Sequence, residues 1–135
     1  MTRTATVGIA VVQNGKILLV KHKQKARHIN DVYGIPGGRI NADETDIQAA
    51  IRELNEETAL VTSEVDLVEY PNNIYYATIQ MKYGPENFSF HVFRCLKFVG
   101  TLQSSEETEP EWVEISRLEN YNLLPSIKEI AEAQL

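Results

Sequence analysis

The sequence predicts an α/β fold in which a mixed β-sheet lies between helices, and three observations carry that prediction. Two Val- and Ile-rich runs near the start are joined by Asn14-Gly15. One amphipathic helical segment follows in the middle of the chain, and aromatic, β-branched runs then return before a closing helical pattern. With 135 residues and 43% hydrophobic composition, the chain suits one domain, residues 1–135, with a proper core.

Ala5 to Gln13 reads as a strand, Asn14-Gly15 as a tight turn and Lys16 to His22 as a second strand. Asn-Gly between two apolar runs is the strongest short hairpin signal. The basic segment Lys21, Lys23, Lys25, Arg27 and His28 ends near Asn30-Asp31. It is read either as a solvated loop or as a cationic rim for the phosphates of a substrate. Val32 to Ile35 is a short extended piece, because the residue before Pro36 is held out of the helical region. Pro36-Gly37-Gly38 reads as a turn whose glycines let the backbone approach a ligand closely or adopt positive φ.

The central helix is expected to begin near Asp43 or Glu44, with Asn41 or Asp43 as N-cap, and to close over Thr58 to Val61. Ile47, Ala50, Ile51 and Leu54 form its apolar stripe. Glu53, Glu56 and Glu57 sit at i, i+3 and i+4 and share one face within roughly 100° of arc. Three like charges there repel unless something positive covers them, and carboxylate oxygens suit hard cations such as magnesium, calcium or manganese.

Glu64 to Tyr70 is read as a strand broken by Pro71-Asn72-Asn73. Ile74 to Tyr83 and Phe88 to Val99 form a long hairpin around Gly84-Pro85-Glu86-Asn87. Phe88, Phe90, Val92 and Leu96 are assigned to its core face, and Arg94 to a surface ion pair. Cys95, the single cysteine, is an ordinary strand residue with no disulfide partner in the chain. Thr101 to Pro110 is an acidic loop holding Glu106, Glu107 and Glu109, and Glu111 to Ile115 is a strand. Ser116 to Asn120 suggests a helical turn, and Pro125 opens a last helix with Ile127, Ile130 and Ala131 on its apolar side.

A net charge of −6 and a pI near 5.1 disfavour a general electrostatic grip on nucleic acid. The apolar run from Val7 stops at Gln13, too short for a leader or a membrane span, so a cytoplasmic, membrane-free protein is expected.

The stretch from Gly37 to Val61 resembles the signature of the Nudix hydrolases: glycine, five residues, glutamate, seven residues, then Arg-Glu-apolar-x-Glu-Glu-x-Gly-apolar. Gly38, Glu44, Arg52, Glu53, Leu54, Glu56, Glu57 and Leu60 fall at those positions, and Ala59 replaces the last glycine. From average composition, the six matched Gly, Glu and Arg positions coincide by chance about once in ten million starting points. The departure at Ala59 is expected to alter helix termination, at a cost on the order of 1 kcal/mol, rather than the chemistry.

The resemblance implies the Nudix α/β/α sandwich and hydrolysis of a pyrophosphate bond in a nucleoside diphosphate linked to another group. It implies Mg2+ (or Mn2+) held by Glu53, Glu56 and Glu57 with the carbonyl of Gly37, and Arg52 orienting the glutamates. Glu107 or Glu106 would add a metal ligand or the general base, and Glu44 would support the loop. Arg27, Arg39 and Tyr76 are the candidates for substrate contact, Tyr76 by stacking on a base. The expected partner is a small nucleoside diphosphate derivative, with a homodimer left open. Two other readings stand beside this one: an inactive nucleotide sensor, motivated by Ala59, and an RNA 5′-end pyrophosphohydrolase, motivated by the basic segment.

Overall fold

A computed structural model describes residues 2–24, 28–29 and 31–134, apart from the side chains of residues 70–72. Seven strands, β1 (Thr4–Gln13), β2 (Lys16–His22), β3 (Tyr33–Gly34), β4 (Gly37–Arg39), β5 (Leu67–Met81), β6 (Gly84–Cys95) and β7 (Thr108–Glu114), make one sheet. Its main path runs β3-β2-β1-β6-β5, with β4 paired to β1 and β7 to β2. The β1–β6 pair is parallel and the other pairs are antiparallel, so the sheet is mixed as expected. Among the described residues two α-helices flank it, α1 (Asp46–Thr58) and α2 (Ile127–Ala133).

The continuous apolar runs of the first two strands arise because both faces of the sheet are covered. Val7, Ile9, Val11 and Leu18 pack with Ala49, Ala50 and Leu54 of α1. The alternate residues Ala10, Ile17 and Leu19 pack with Ile127, Ile130 and Ala131 of α2. This is an α/β/α sandwich. Among the described residues no helix is long and apolar enough to cross a membrane.

The first hairpin turns at Asn14 and Gly15, with φ of 52° and 74°, the positive pair that a two-residue turn of this hand requires. Several boundaries differ from the sequence reading. α1 starts at Asp46, and its N-cap is Thr45 rather than Asn41 or Asp43: Thr45 and Gln48 form a reciprocal capping box. Gly37-Gly38 is strand, not turn, because β4 pairs through it with Gly8 and Val7. The segment Glu64–Asp66 is a 3-10 turn, and β5 then continues through Pro71-Asn72-Asn73, whose disruption is absorbed as a register shift between Glu69 and Ile74.

The next hairpin turns at Lys82-Tyr83, so Gly84 to Asn87 are strand. Phe88 and Val92 are buried as assigned, but Leu96 lies past the end of β6 and is 60% exposed, while Phe93 and Cys95 face the core. Among the described residues Arg94 makes no ion pair, and its Nη1 donates to the Gln134 carbonyl at 3.1 Å. β7 begins at Thr108, earlier than Glu111, because β2 pairs with it along its whole length. The residues from Ile115 to Asn120 form a 3-10 turn. Pro125 precedes the last helix rather than opening it, since Ser126 intervenes with φ 73°.

Candidate active site

The carboxylates of α1 take different environments although they share one face. Glu57, in the last turn, turns inward, and its Oε1 accepts a hydrogen bond from the backbone N–H of Gly37 at 2.6 Å. Burial drives its carboxyl well above the usual range, the Gly37 bond opposing and the nearby Glu53 charge reinforcing that shift. Glu53 is 14% exposed, and burial raises its carboxyl to about 7 against the pull of Arg52. Glu56 stands in solvent, 55% exposed.

Arg52 lies among these acids. Its Nε and Nη2 reach both oxygens of Glu44 at 3.0 and 2.5 Å, Nη1 reaches Glu53 at 2.8 Å and Glu56 at 3.1 Å, and Nη2 also donates to the Arg39 carbonyl at 3.0 Å. The bond to Glu44 is the main cause of its raised guanidinium pKa, and the same bond lowers that of Glu44. Glu44 also accepts from the Asn41 N–H at 2.8 Å, which fixes the turn before the helix.

The two glycines of β4 are required by close approach, not by positive φ. A Cβ on Gly37 would lie 2.2 Å from the Val7 carbonyl oxygen, and one on Gly38 would lie 2.7 Å from the Glu53 carboxyl. The acidic loop is fastened to the end of α1: Thr108 Oγ1 donates to the Glu57 carbonyl at 3.1 Å, and the Gln103 N–H to that of Thr58 at 2.9 Å. Ser105 Oγ accepts from the N–H groups of Glu107 and Thr108, which presents Glu106 and Glu107 to the same cleft.

That cleft, of about 560 Å³, has both acidic and apolar lining. Glu53, Glu56, Glu57, Glu106 and Glu107 line it together with Phe88, Phe90, Met81, Ile79 and Leu124. Arg39 lines it too, with its guanidinium 5.7 Å from the Phe88 ring and paired with Glu86 at 3.0 Å.

The other expected contacts fare differently. Tyr76 does not line the cleft: it is 62% exposed on β5, with the guanidinium of Arg3 5.0 Å from its ring. The alternation of β5 puts it on the face away from Ile79 and Met81, which do line the cleft. Arg27 lies outside the described residues, as does Lys25. Lys21 pairs with Glu109 at 3.9 Å and Lys23 donates to the Ser105 carbonyl at 2.6 Å, so both brace β2 against β7 and the acidic loop.

Sequence reasoning missed His22, and placed His28 only in a charge run. Their rings lie 4.2 Å apart in the cleft wall, and His22 Nδ1 bonds to the Val32 carbonyl at 3.0 Å. Burial lowers the pKa of both, that of His28 to about 4, so both are neutral at pH 7. A histidine ending an apolar strand, as His22 ends β2, was the available signal.

The chemistry of this donor set suits a hard divalent cation, since it offers hard carboxylate oxygens, two of the carboxyls being largely out of water. As they stand, no three acidic, cysteine or histidine side chains among the described residues converge on one ion position, and Arg52 occupies the space between Glu53 and Glu56.

The sequence matches the NUDIX domain over residues 2–134. It is 33% identical over 110 residues to the oxidized purine nucleoside triphosphate hydrolase of Danio rerio, a match covering 82% of this chain and 65% of that protein, so the chain spans just under two thirds of that relative. It is 26% identical over 133 residues to the CTP pyrophosphohydrolase of Escherichia coli K12, covering 98% and 92% of the two chains. Among solved structures, the E. coli ORF135 protein superposes with a TM-score of 0.72 at 25% identity, over 99% of this chain and 89% of that one.

Proposed function

Because the chain belongs to the NUDIX family, we propose that it is a metal-dependent pyrophosphohydrolase acting on a nucleoside diphosphate derivative, with nucleoside triphosphates as the favoured class. The observation that carries this reading is the polarity of the cleft. Partly buried carboxylates stand against an apolar, aromatic lining, which matches a molecule with an anionic phosphate chain and a flat base. The names of the relatives, one acting on oxidized purine nucleoside triphosphates and the other on CTP, support the triphosphate class.

In this reading Glu53, Glu56 and Glu57, with the Gly37 carbonyl and Glu107, hold Mg2+ or Mn2+. The bound cation supplies charge neutralisation of the phosphates and a water of lowered pKa. Arg52 positions Glu53 and Glu56 and keeps the Glu44 turn in place. Arg39, beside the Phe88 ring in the cleft lining, is the cation that would meet the phosphates. Water oxygen bonds to phosphorus as the anhydride P–O bond breaks, and a carboxylate of the cleft accepts the proton.

The RNA-end reading is less favoured: of the basic segment that motivates it, Lys21 and Lys23 are engaged by Glu109 and Ser105, and Lys25 and Arg27 lie outside the described residues. The sensor reading loses its motive: Ala59 takes the αL conformation, φ 70°, and its N–H still bonds to the Asn55 carbonyl, so α1 ends in a regular cap.

The test is a panel of CTP, an oxidised purine nucleoside triphosphate, ADP-ribose and a nucleotide sugar, with Mg2+ or Mn2+ in 18O-labelled water, read by product mass. We expect a labelled monophosphate or pyrophosphate from a triphosphate, and a loss of about 100-fold or more in Glu57→Gln. Nucleotide binding without turnover across the panel overturns the enzyme reading.

A further inference from the structure

Arg39 crosses the sheet to reach its partners. β4 pairs with one edge of β1, through Arg39 and Thr6, and β6 pairs with the other edge, through Phe88 and Thr4. Neighbouring strands stand about 4.8 Å apart, so the side chain leaves β4, passes over β1 and brings its guanidinium to β6. A side chain of that length samples many rotamers unless its end is held. Here both ends are held. The Arg39 carbonyl accepts from Arg52 Nη2 at 3.0 Å, and Arg39 Nη2 donates to Glu86 Oε1 and to the Tyr83 hydroxyl oxygen, each at 3.0 Å.

Glu86 is the centre of that anchor. It lies two residues before Phe88 on β6 and so shares its face. Its Oε2 accepts from Thr4 Oγ1 at 2.6 Å, while Oε1 accepts from the Tyr83 hydroxyl as well as from Arg39. One carboxylate therefore joins β1, β4 and the turn between β5 and β6. The anchor uses only Nη2 of the guanidinium. Nη1 and Nε meet no acceptor among the described residues, and Arg39 lines the cleft. A planar guanidinium fixed at one corner keeps its remaining donors in a set direction, an arrangement suited to phosphate oxygens.

Resting on the reading that the cleft takes a nucleotide, we propose that Glu86, assisted by Tyr83, is a positioning residue that acts through Arg39 and sets its guanidinium for the phosphate chain. The sign of the effect separates this role from simple electrostatics. Glu86 is an anion bonded to a residue of the cleft, so on charge alone its removal tightens the binding of a polyanion. As an anchor, its removal loosens that binding, because the ligand must then order Arg39 itself.

Calorimetric titration of the full chain with Mg2+ and α,β-methylene CTP or α,β-methylene GTP, whose bridging carbon resists hydrolysis, tests this. We expect Glu86→Ala to weaken binding about tenfold, and Tyr83→Phe, which alters no charge, about threefold. In an Arg39→Ala background neither change should shift affinity by more than about twofold, a coupling that a general loss of structure would not produce. Tyr83 is 59% exposed, so its variant decides the matter if Glu86→Ala does not fold. Binding by Glu86→Ala as tight as the parent's or tighter, or an equal loss with Arg39 removed, would overturn the proposal and leave the nucleotide reading standing. A parent that binds neither analogue would overturn both.

Discussion

The backbone N–H of Gly37 donates to Glu57 Oε1 at 2.6 Å, tying the last turn of α1 to β4 where β4 pairs with β1. The carboxylate ridge is thus referenced to the sheet through two positions, Gly37 and Gly38, that have no room for a side chain.

Gly37→Ala and Gly38→Ala should separate stability from chemistry. The first methyl meets backbone, the Val7 carbonyl at 2.2 Å and Gly8 Cα at 2.9 Å, and can be relieved only by moving β1 or β4. We expect a loss of about 2 kcal/mol or more in urea unfolding. The second methyl meets the far end of the Glu53 side chain at 2.7 Å, which can rotate away. That variant should stay within about 1 kcal/mol of the parent and lose about tenfold or more in kcat.

Arg52→Lys should behave as a deletion. Nε and Nη2 of the guanidinium bond both oxygens of Glu44, Nη1 serves Glu53 and Glu56, and Nη2 also serves the Arg39 carbonyl. One ammonium cannot span those directions. We expect turnover to fall by about 10- to 100-fold and unfolding stability by about 1–3 kcal/mol. Unchanged kinetics in the lysine variant would mean that charge alone suffices.

The residues of this helix show what a sequence can and cannot display. Periodicity made the carboxylate ridge and the apolar stripe visible, because both depend only on helical spacing. It could not reveal that Glu57 is enclosed and Glu56 exposed, since that depends on β4 crossing beside the last turn. The Thr45–Gln48 box was present in sequence and was overlooked in favour of the acidic and amide residues before it. A strand's composition does not show which face of β5 fronts the cleft, so it could not place Tyr76, which lies on the other face. His22 and His28 lie with their rings 4.2 Å apart, a closeness that their spacing in the sequence does not display.

Ala59→Gly should stabilise the protein without touching the site. Ala59 holds φ 70° and ψ 1° as the C-cap of α1, a conformation that costs a Cβ-bearing residue about 1 kcal/mol relative to glycine. Its carbonyl oxygen lies 3.2 Å from the Cβ that Gly100 would carry, so the chain there is already closely fitted. Partly offset by the greater backbone entropy of an unfolded glycine, the gain should reach about 0.5–1 kcal/mol, or about 2–4 °C in melting temperature, with kcat/KM unchanged. A lower melting temperature would show that the cap is not strained.

Acid stability should report on Glu86, which joins the N-terminal end of β1 to the β5–β6 hairpin. Its carboxylate accepts from Thr4 Oγ1 at 2.6 Å, from the Tyr83 hydroxyl and from Arg39 Nη2 at 3.0 Å. These bonds, that of Thr4 foremost, lower its pKa to about 2. In the unfolded chain a glutamate titrates near 4.3, so between these values the unfolded state binds more protons and stability falls with pH. The contribution is complete above about pH 5 and is lost progressively as pH drops toward 2. Because the side chain is 19% exposed, part of the effect is screened by solvent and should diminish further in salt. Melting curves from pH 7 to 3 should therefore show Glu86→Gln below the parent at neutral pH and converging with it in acid, and parallel curves would remove Glu86 from the acid response.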